Sequence, residues 1–201
     1  MTKIKICGLY RPCDIAYVNA AKPDWCGFII NFPRSHRNVT PDQVRSLRAG
    51  LDGGITPVGV FVDQPVEDVA TLLNDGTLSV AQLHGREDSS YIAALRTLAP
   101  GCTIWKACKV RSAADLDDAN ASTADLVLLD NGYGTGQTFD WSLAGGVRRP
   151  FLLAGGLTPE NIPDAIAALH PLGLDISSGV ETEKKKDPQK ILAAVAAARR
   201  G

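Results

Sequence analysis

The sequence lacks the features that direct a chain into a membrane, onto nucleic acid or out of the cell. No apolar run reaches the roughly 18 residues of a membrane-spanning helix, and the first residues, MTKIKICG, lack the apolar region of a signal peptide. The formal net charge is −1, so no broad basic field exists to attract nucleic acid or an anionic membrane. We therefore expect a soluble, cytoplasmic protein whose partner is a small molecule, with neither nucleic acid nor membrane as a partner.

The cysteine and histidine spacings of a disulfide framework or a zinc site are also missing. The five cysteines are an odd number without a C-x-x-C pair, and the three histidines are isolated from them. Free thiols in a reducing compartment are most often small buried hydrophobic groups. We therefore expect neither a metal nor a disulfide, and a reactive cysteine has to be identified by its position.

What the sequence does contain is a regular alternation of short apolar segments with amphipathic segments of helical length. The apolar segments recur at roughly 22 to 24 residues, apart from one longer gap around the second helix, which is the economical spacing of a βα unit. Such alternation predicts a parallel sheet built from right-handed crossovers. The eight candidate strands are KIKICG, WCGFII, TPVGVFV, SVAQLH, TIWKACKV, LVLLD, PFLLAGG and LGLDISSG.

Eight such units account for the chain from end to end, and no linker or low-complexity tract divides it. The sequence therefore predicts an α/β fold, a single (β/α)8 TIM barrel over residues 1–201, which is small for this architecture. The alternative is an open, doubly wound sheet. It is less favoured because no G-x-G-x-x-G follows the first strand.

Three helix starts are marked by a capping residue followed by proline. They are Thr40–Pro41, with Gln43 completing a capping box, Thr158–Pro159 and Asp187–Pro188. In each pair the first residue offers a side-chain acceptor, and the proline pre-sets the backbone angle of the first helical position.

In a (β/α)8 barrel the carboxyl ends of the strands surround the active site. Alternation along the first strand places Lys5 and Cys7 on one face and Ile4 and Ile6 on the other. If the isoleucines face the helices, Lys5 is inside the barrel and needs a carboxylate, for which Asp175 on the eighth strand is the candidate. A neighbouring ammonium would help Cys7 to ionise. An inert thiol beside a buried ion pair is an equally good interpretation of this strand.

Other strand ends carry polar groups whose role the residues alone leave open. Asp130 ends the apolar run LVLLD, where an acid commonly caps a helix, and NGYGTGQTFDW follows it. That glycine-rich segment is either an ordinary loop or one that closes over a ligand. His84, in QLHG, is a packed residue or a substrate contact, and Arg37, in FPRSHRNVT, is a solvated arginine or a partner for a substrate carboxylate.

The segments AGGLTPEN and DISSGVE follow the seventh and eighth strands. Both contain small residues whose backbone N–H groups can converge on an anion. The loops after these two strands frequently bind phosphate in barrels of this class. We favour a phosphate site here over two ordinary tight turns.

Taken together, these motifs resemble the phosphoribosylanthranilate isomerase family, tryptophan-biosynthesis enzymes built on a (β/α)8 barrel. The resemblance covers nearly the whole chain. The matching segments, in order and at the right spacing, are KICGL, GVFV, QLHG, LVLLD, the glycine-rich segment with TFDW, AGGLTPEN and DISSGVE.

The resemblance implies an Amadori rearrangement of a small-molecule phosphosugar, without metal or cofactor. The sequence does not give the oligomeric state, and we expect a monomer or homodimer. It implies Cys7 as general base, Asp130 as general acid, Arg37 as the group that holds the anthranilate carboxylate, and His84 and Asp175 as active-site contacts. The phosphate-loop residues that it implies are Gly155, Gly156, Ser178 and Gly179.

This chemistry requires opposed pKa shifts. Asp130 has to stay protonated near neutrality, so its pKa should lie above the ordinary value of about 3.9, through desolvation. The pKa of Cys7 should fall below about 8.5, and strand parity makes Lys5 the group expected to lower it.

Three residues depart from the family's usual pattern. Tyr10 stands where a small hydroxyl residue is common, Cys13 where an acid is common, and Asn38 where an aromatic residue often follows the arginine. These departures concern loop behaviour and affinity more than the reaction.

Other phosphosugar barrels remain as alternatives. A metal-dependent epimerase needs histidine and carboxylate ligands at several strand ends. A histidine-pathway isomerase is expected to use paired aspartates where this chain has Cys7 and Lys106 or Ala107. The remaining alternative is a phosphosugar-binding barrel that is non-catalytic or has a different specificity.

Overall fold

Eight parallel strands close into a barrel in the computed structural model, which describes residues 1–130 and 141–200. Each strand pairs with the next, and β1 pairs with both β2 and β8, so the sheet has no open edge between them. This closure confirms the predicted barrel over the open sheet. The strands are β1 (Lys3–Cys7), β2 (Trp25–Ile30), β3 (Thr56–Phe61), β4 (Val80–Leu83), β5 (Thr103–Lys109), β6 (Leu126–Asp130), β7 (Phe151–Leu153) and β8 (Gly173–Ile176).

Seven α-helices are present among the described residues. The connection from β6 to β7 differs from the others, because its described part forms a 3-10 helix, Trp141–Gly146, in place of an α-helix. The helices are α1 (Pro12–Ala21), α2 (Pro41–Ala49), α3 (Val66–Asn74), α4 (Ser89–Leu98), α5 (Asp115–Ala121), α6 (Ile162–Leu169) and α7 (Pro188–Arg200). None of these helices is long and apolar enough to cross a membrane.

Two of the three predicted helix starts are confirmed. Thr40 Oγ1 accepts a hydrogen bond from Gln43 N at 3.3 Å, and Gln43 Oε1 accepts one from Thr40 N at 2.8 Å, which completes the capping box. Asp187 Oδ1 accepts from the backbone N–H groups of Gln189 and Lys190 at the start of α7. These caps satisfy N–H groups that have no partner within the helix.

The third predicted start, at Thr158–Pro159, is wrong by one turn, since α6 begins at Ile162. The side chain of Asn161 forms hydrogen bonds with backbone groups that precede it. Its Oδ1 accepts from Thr158 N at 2.8 Å, and its Nδ2 donates to Gly156 O at 3.0 Å. These two bonds hold the segment before α6 as a turn.

The hydrophobic core has two layers, one on each side of the sheet. Ile4 and Ile6 of β1 pack toward the helices, as the alternation predicts. A smaller apolar cluster fills part of the barrel interior, where Trp25 and Trp105 meet edge to face with ring centroids 5.1 Å apart. This second cluster leaves the carboxyl ends of the strands for polar groups.

Three short elements add to the structure at that end. The two-residue strand Asn38–Val39 extends the sheet beside β2. After β8, the 3-10 helix Ser178–Val180 leads into an antiparallel hairpin, Glu181–Thr182 with Lys185–Lys186. The hairpin brings the charged segment before α7 back over the barrel.

Candidate active site

A cavity of about 400 Å³ lies at the carboxyl ends of the barrel strands, and all eight strands or the loops that follow them contribute to it. All the predicted site residues but Gly179 are among those that line it. The described lining residues are Cys7, Ile29, Phe32, Ser35, Arg37, Val60, Val62, Gln82, His84, Lys109, Asp130, Ala154, Gly155, Gly156, Leu157, Asp175, Ile176, Ser177 and Ser178.

A buried polar cluster of Lys5, Gln82 and Asp175, here called the floor cluster, lies at the base of this cavity. Lys5 is 0 % exposed. Its Nζ donates to Asp175 Oδ1 and Oδ2, at 3.0 and 3.1 Å, and to Gln82 Oε1 at 2.7 Å. Burial alone lowers the pKa of Lys5, but Asp175 and Cys7 more than offset this and raise it above its ordinary value. The predicted Lys5–Asp175 pair is therefore confirmed, and the ammonium stays charged.

Cys7 and Lys5 come together over Gly27 of β2. A Cβ atom added to Gly27 would lie 2.9 Å from both Cys7 Sγ and Lys5 Cε, closer than real Cβ atoms come to a neighbour, and 3.1 Å from Lys5 Nζ. Glycine at this position therefore provides the space in which the thiol and the ammonium lie side by side.

The electrostatic environment of Cys7 corrects the expectation for its pKa. The thiol is 6 % exposed, and burial raises its pKa above the ordinary value. Lys5 and, more weakly, Lys186 act in the opposite direction, while Asp175 adds to the increase. The ammonium of Lys5 has the predicted influence, but in the free protein desolvation is stronger.

Asp130 and His84 lie together on another side of the cavity. His84 Nε2 is 3.4 Å from Asp130 Oδ2. His84 Nδ1 is 3.4 Å from Gln82 Nε2, which connects this pair to the floor cluster. Lys109 is the register partner of Asp130 on β5 and also lines the cavity.

A second ionic cluster of Arg37, Glu181 and Lys186, here called the rim cluster, lies at the edge of the cavity. Arg37 Nε and Nη2 donate to the two carboxylate oxygens of Glu181 at 2.6 and 2.7 Å. Lys186 Nζ donates to Glu181 Oε1 at 2.7 Å. Burial would raise the pKa of Glu181, but Arg37 and Lys186 lower it to about 2. The guanidinium is thus held by two parallel bonds, which fix its plane.

Sequence reasoning missed Glu181 and Lys186. Glu181 is the last letter of DISSGVE, and Lys186 lies in the charged run EKKKD, which is typical of a solvated surface. Lys186 is nevertheless 3 % exposed, and its Nζ also donates to Ser177 O at 2.9 Å. Its pKa is lowered by burial.

Gly8 allows the rim cluster to pack over the end of β1. Its φ is +79°, a backbone conformation that favours glycine. A Cβ atom here would overlap with Arg37 Cδ and lie 3.2 Å from Ser177 Oγ. The glycine that follows Cys7 is therefore explained by the close approach of the Arg37 side chain.

The predicted phosphate residues lie on two loops in contact. Gly155 and Gly156 have φ values of +89° and +66°, and both line the cavity together with Ser178. Gly179 lies just behind the lining, where an added Cβ would overlap with Leu157 O. The loop after β7 and the loop after β8 thus pack backbone against backbone.

Three other expectations from the sequence concern the glycine-rich segment, Lys106 and a metal site. Residues 131–140, which make up most of the glycine-rich segment before Trp141, lie outside the described residues. Lys106 Nζ donates to Glu87 Oε2 and Gly85 O, so this residue belongs to an ion pair beside the barrel wall. Within residues 1–130 and 141–200, no group of three or more His, Cys, Asp or Glu is placed to hold a metal ion.

The closed parallel barrel and its polar cavity at the carboxyl ends of the strands define a (β/α)8-barrel enzyme. The family model of N-(5'phosphoribosyl)anthranilate (PRA) isomerase matches residues 4–197. The chain therefore belongs to the PRA isomerase family and is an isomerase.

Individual relatives agree with this assignment. N-(5'-phosphoribosyl)anthranilate isomerase of Clostridium kluyveri is 42 % identical over 194 residues, 95 % of this chain and 94 % of the relative. The crystal structure of the Thermus thermophilus phosphoribosyl anthranilate isomerase is 32 % identical, with a TM-score of 0.87 over 99 % of both chains. A phosphoribosyl anthranilate isomerase in complex with reduced 1-(o-carboxyphenylamino)-1-deoxyribulose 5-phosphate is 30 % identical, with a TM-score of 0.84 over 100 % of both chains.

Proposed function

We propose that this chain catalyses the Amadori rearrangement of N-(5'-phosphoribosyl)anthranilate to 1-(2-carboxyphenylamino)-1-deoxy-D-ribulose 5-phosphate in tryptophan biosynthesis. In this proposal residues 1–201 act as one domain on a small-molecule phosphosugar, with Cys7 as general base and Asp130 as general acid. The observation that carries it is that the thiol and the carboxyl group line the same cavity from β1 and β6.

The substrate's two anionic groups have separate receptors. Its phosphate is bound by the loops after β7 and β8, where backbone N–H groups of Gly155, Gly156, Ser178 and Gly179 are the donors. Its carboxylate is bound by Arg37, whose guanidinium has five N–H donors, two of them bonded to Glu181. A cavity of about 400 Å³ is within the usual range for a ligand of this size.

The reaction is an internal exchange of protons and electrons within the substrate. Protonated Asp130 donates its proton to the furanose ring oxygen, and the ring opens to an iminium ion. The Cys7 thiolate removes the proton from C2, and that electron pair forms the C1–C2 double bond while the iminium nitrogen becomes neutral. The resulting enolamine tautomerises to the ketone. The iminium nitrogen is the electron acceptor, so the reaction needs neither metal nor cofactor.

The two ionic clusters support these steps differently. The Lys5 ammonium beside Cys7 stabilises the thiolate against the effect of burial. Asp175 keeps Lys5 charged and thus acts through it. His84 lies within 3.4 Å of Asp130 Oδ2 and can stabilise the carboxylate that proton donation leaves behind.

The proposal is tested by Cys7→Ser and Asp130→Asn. Each should reduce kcat by about 10² to 10⁴-fold with little change in KM, because general acid–base catalysis contributes this much and the lost groups contribute little binding energy. Loss of anthranilate fluorescence on adding substrate gives the rate. Near-normal kcat in Cys7→Ser would reject the base assignment. Binding without turnover by the unmodified chain would favour the alternative of a non-catalytic phosphosugar-binding barrel.

A further inference from the structure

The polar side chains of the cavity form one continuous series of contacts from β8 to β6. Asp175 bonds Lys5 at 3.0 Å, and Lys5 bonds Gln82 Oε1 at 2.7 Å. Gln82 Nε2 then approaches His84 Nδ1 at 3.4 Å, and His84 Nε2 approaches Asp130 Oδ2 at 3.4 Å. The series joins the group beside Cys7 to the proposed acid.

The chemistry of these groups fixes the direction of each hydrogen bond. A charged ammonium can only donate, so Lys5 requires the carbonyl oxygen of the Gln82 amide. The amide nitrogen of Gln82 then faces His84, and an NH₂ group can also only donate. Nδ1 of His84 must therefore accept, which leaves the ring proton of the neutral imidazole on Nε2.

We propose that Gln82 is a positioning residue: together with Lys5 it fixes His84 as the Nε2–H tautomer, so that His84 donates to Asp130 Oδ2. Gln82 is 1 % exposed and is held from both ends. This inference deepens the proposed function, and its catalytic part rests on the assignment of Asp130 as the acid.

The tautomer matters because it decides where the proton of Asp130 is available. With Nε2–H directed at Oδ2, that oxygen accepts, and the acidic proton is carried by Oδ1, from which it passes to the furanose oxygen. With the other tautomer, the unprotonated Nε2 would accept the proton of Asp130 and compete with the furanose oxygen. The 3.4 Å separation of His84 Nε2 and Asp130 Oδ2 is an ion-pair distance, and catalytic hydrogen bonds often tighten only in the substrate complex.

The tautomer can be measured by ¹⁵N NMR of the full chain labelled in histidine. There are three histidines in the sequence, and His84→Asn identifies the His84 signals by their loss. At about pH 8, above the ordinary histidine pKa of about 6.5, Nδ1 should resonate as an unprotonated nitrogen and Nε2 as a protonated one. A protonated Nδ1 in the unmodified chain would overturn the proposal.

Gln82→Glu should place the proton of His84 on Nδ1. One carboxylate oxygen can bond Lys5, but the other then faces His84 Nδ1 as an acceptor and requires a proton there. We expect the Nδ1 signal to move to the protonated range. A folded Gln82→Glu variant whose Nδ1 stays unprotonated would show that residue 82 does not set the tautomer.

Gln82→Met tests the kinetic consequence, with Gln189→Met on the exposed start of α7 as the matched control. We expect kcat to fall by about ten- to a hundredfold, the range measured when the hydrogen-bond partner that orients a metal-ligating histidine is removed, with KM nearly unchanged and the control normal. A normal kcat in folded Gln82→Met would reject the catalytic role of Gln82. Failure of the Asp130 assignment is seen separately, as normal turnover in Asp130→Asn, and the NMR results do not depend on it.

Discussion

The floor and rim clusters contain the same kinds of groups, but their lysines respond in opposite ways. Lys5 has its pKa raised, whereas Lys186 has its pKa lowered, although both are buried and both bond a carboxylate. Burial lowers the pKa of both lysines; at Lys5 the charges of Asp175 and Cys7 outweigh it, whereas at Lys186 the positive charge of Arg37 adds to it and Glu181 does not outweigh them. Lys5 is the only cation of its cluster and pairs with Asp175, while Lys186 shares Glu181 with Arg37.

This difference gives the clusters different net charges. One ammonium and one carboxylate leave the floor cluster neutral, so a thiolate at Cys7 gives it a net charge of −1, which the adjacent ammonium of Lys5 stabilises and Asp175 opposes. Two cations and one carboxylate leave the rim cluster at +1, which suits a receptor for an anionic substrate group. These net charges agree with the proposed roles, proton transfer beside the floor cluster and anion binding at the rim cluster.

The largest expected effect comes from Lys5→Met, which breaks the floor cluster. It leaves Asp175 buried without its cation, and removing one partner of a buried pair costs about 3–5 kcal/mol of unfolding free energy. It also removes the group that lowers the pKa of Cys7, so the rise of kcat/KM with pH should move to higher pH. Urea unfolding and a pH–rate profile measure the two effects.

The double variant Lys5→Met/Asp175→Asn is the control for stability. It removes both charges, so the unfolding free energy should recover in part, while the pH–rate profile stays displaced. A profile identical to that of the unmodified chain in both variants would show that Lys5 has no influence on the catalytic base.

Arg37→Ala tests the rim cluster and should act on binding. The variant loses charge-assisted hydrogen bonds of about 1.5–3 kcal/mol and reduces the rim from +1 to neutral. KM should therefore rise by about ten- to a hundredfold, with a much smaller change in kcat. Arg45→Ala, which removes two surface ion pairs of an α2 arginine, with Asp42 and Asp75, is the matched control. A reduced kcat at unchanged KM would place Arg37 in the chemistry and remove the distinction between the clusters.

Gly27→Ala should have a smaller effect, confined to the floor. Its methyl group would crowd Cys7 Sγ and Lys5 Cε, each 2.9 Å away, and overpacking of this kind costs about 1–3 kcal/mol. Gly53→Ala is the control, because a Cβ there meets nothing within 4 Å. Urea unfolding of the two variants gives the comparison. Equal stability would mean that the space between Lys5 and Cys7 is not tightly packed.

The floor cluster could largely be predicted from the sequence, because it depends on regular structure. Period-two alternation directs Lys5 inward, and barrel closure brings β8 beside β1, so the Asp175 pair follows from topology. The direction in which the pKa of Cys7 shifts could not be predicted from the sequence, because it depends on how far desolvation outweighs the charge of Lys5.

The rim cluster could not be predicted, because it depends on irregular structure. The hairpin Glu181–Thr182 with Lys185–Lys186 directs Lys186 inward, although the charged run in which it lies is typical of a solvated surface.

The smallest expected effect at neutral pH comes from Glu181→Gln. The amide keeps one acceptor for Arg37 but loses the second parallel bond, so KM should rise by less than in Arg37→Ala. The larger difference should appear in acid. The pKa of Glu181 is lowered from 4.5 to about 2, so its carboxylate stabilises the fold above pH 4.5, and this contribution is lost as the pH falls toward 2. In Glu181→Gln the free energy of unfolding, measured in urea, should not show this loss as the pH falls. In Glu183→Gln, on the exposed turn of the same hairpin, the loss should remain. If Glu181→Gln and the unmodified chain lose stability in parallel between these pH values, the charge of Glu181 does not hold the rim together, and the fixed plane of Arg37 must have another cause.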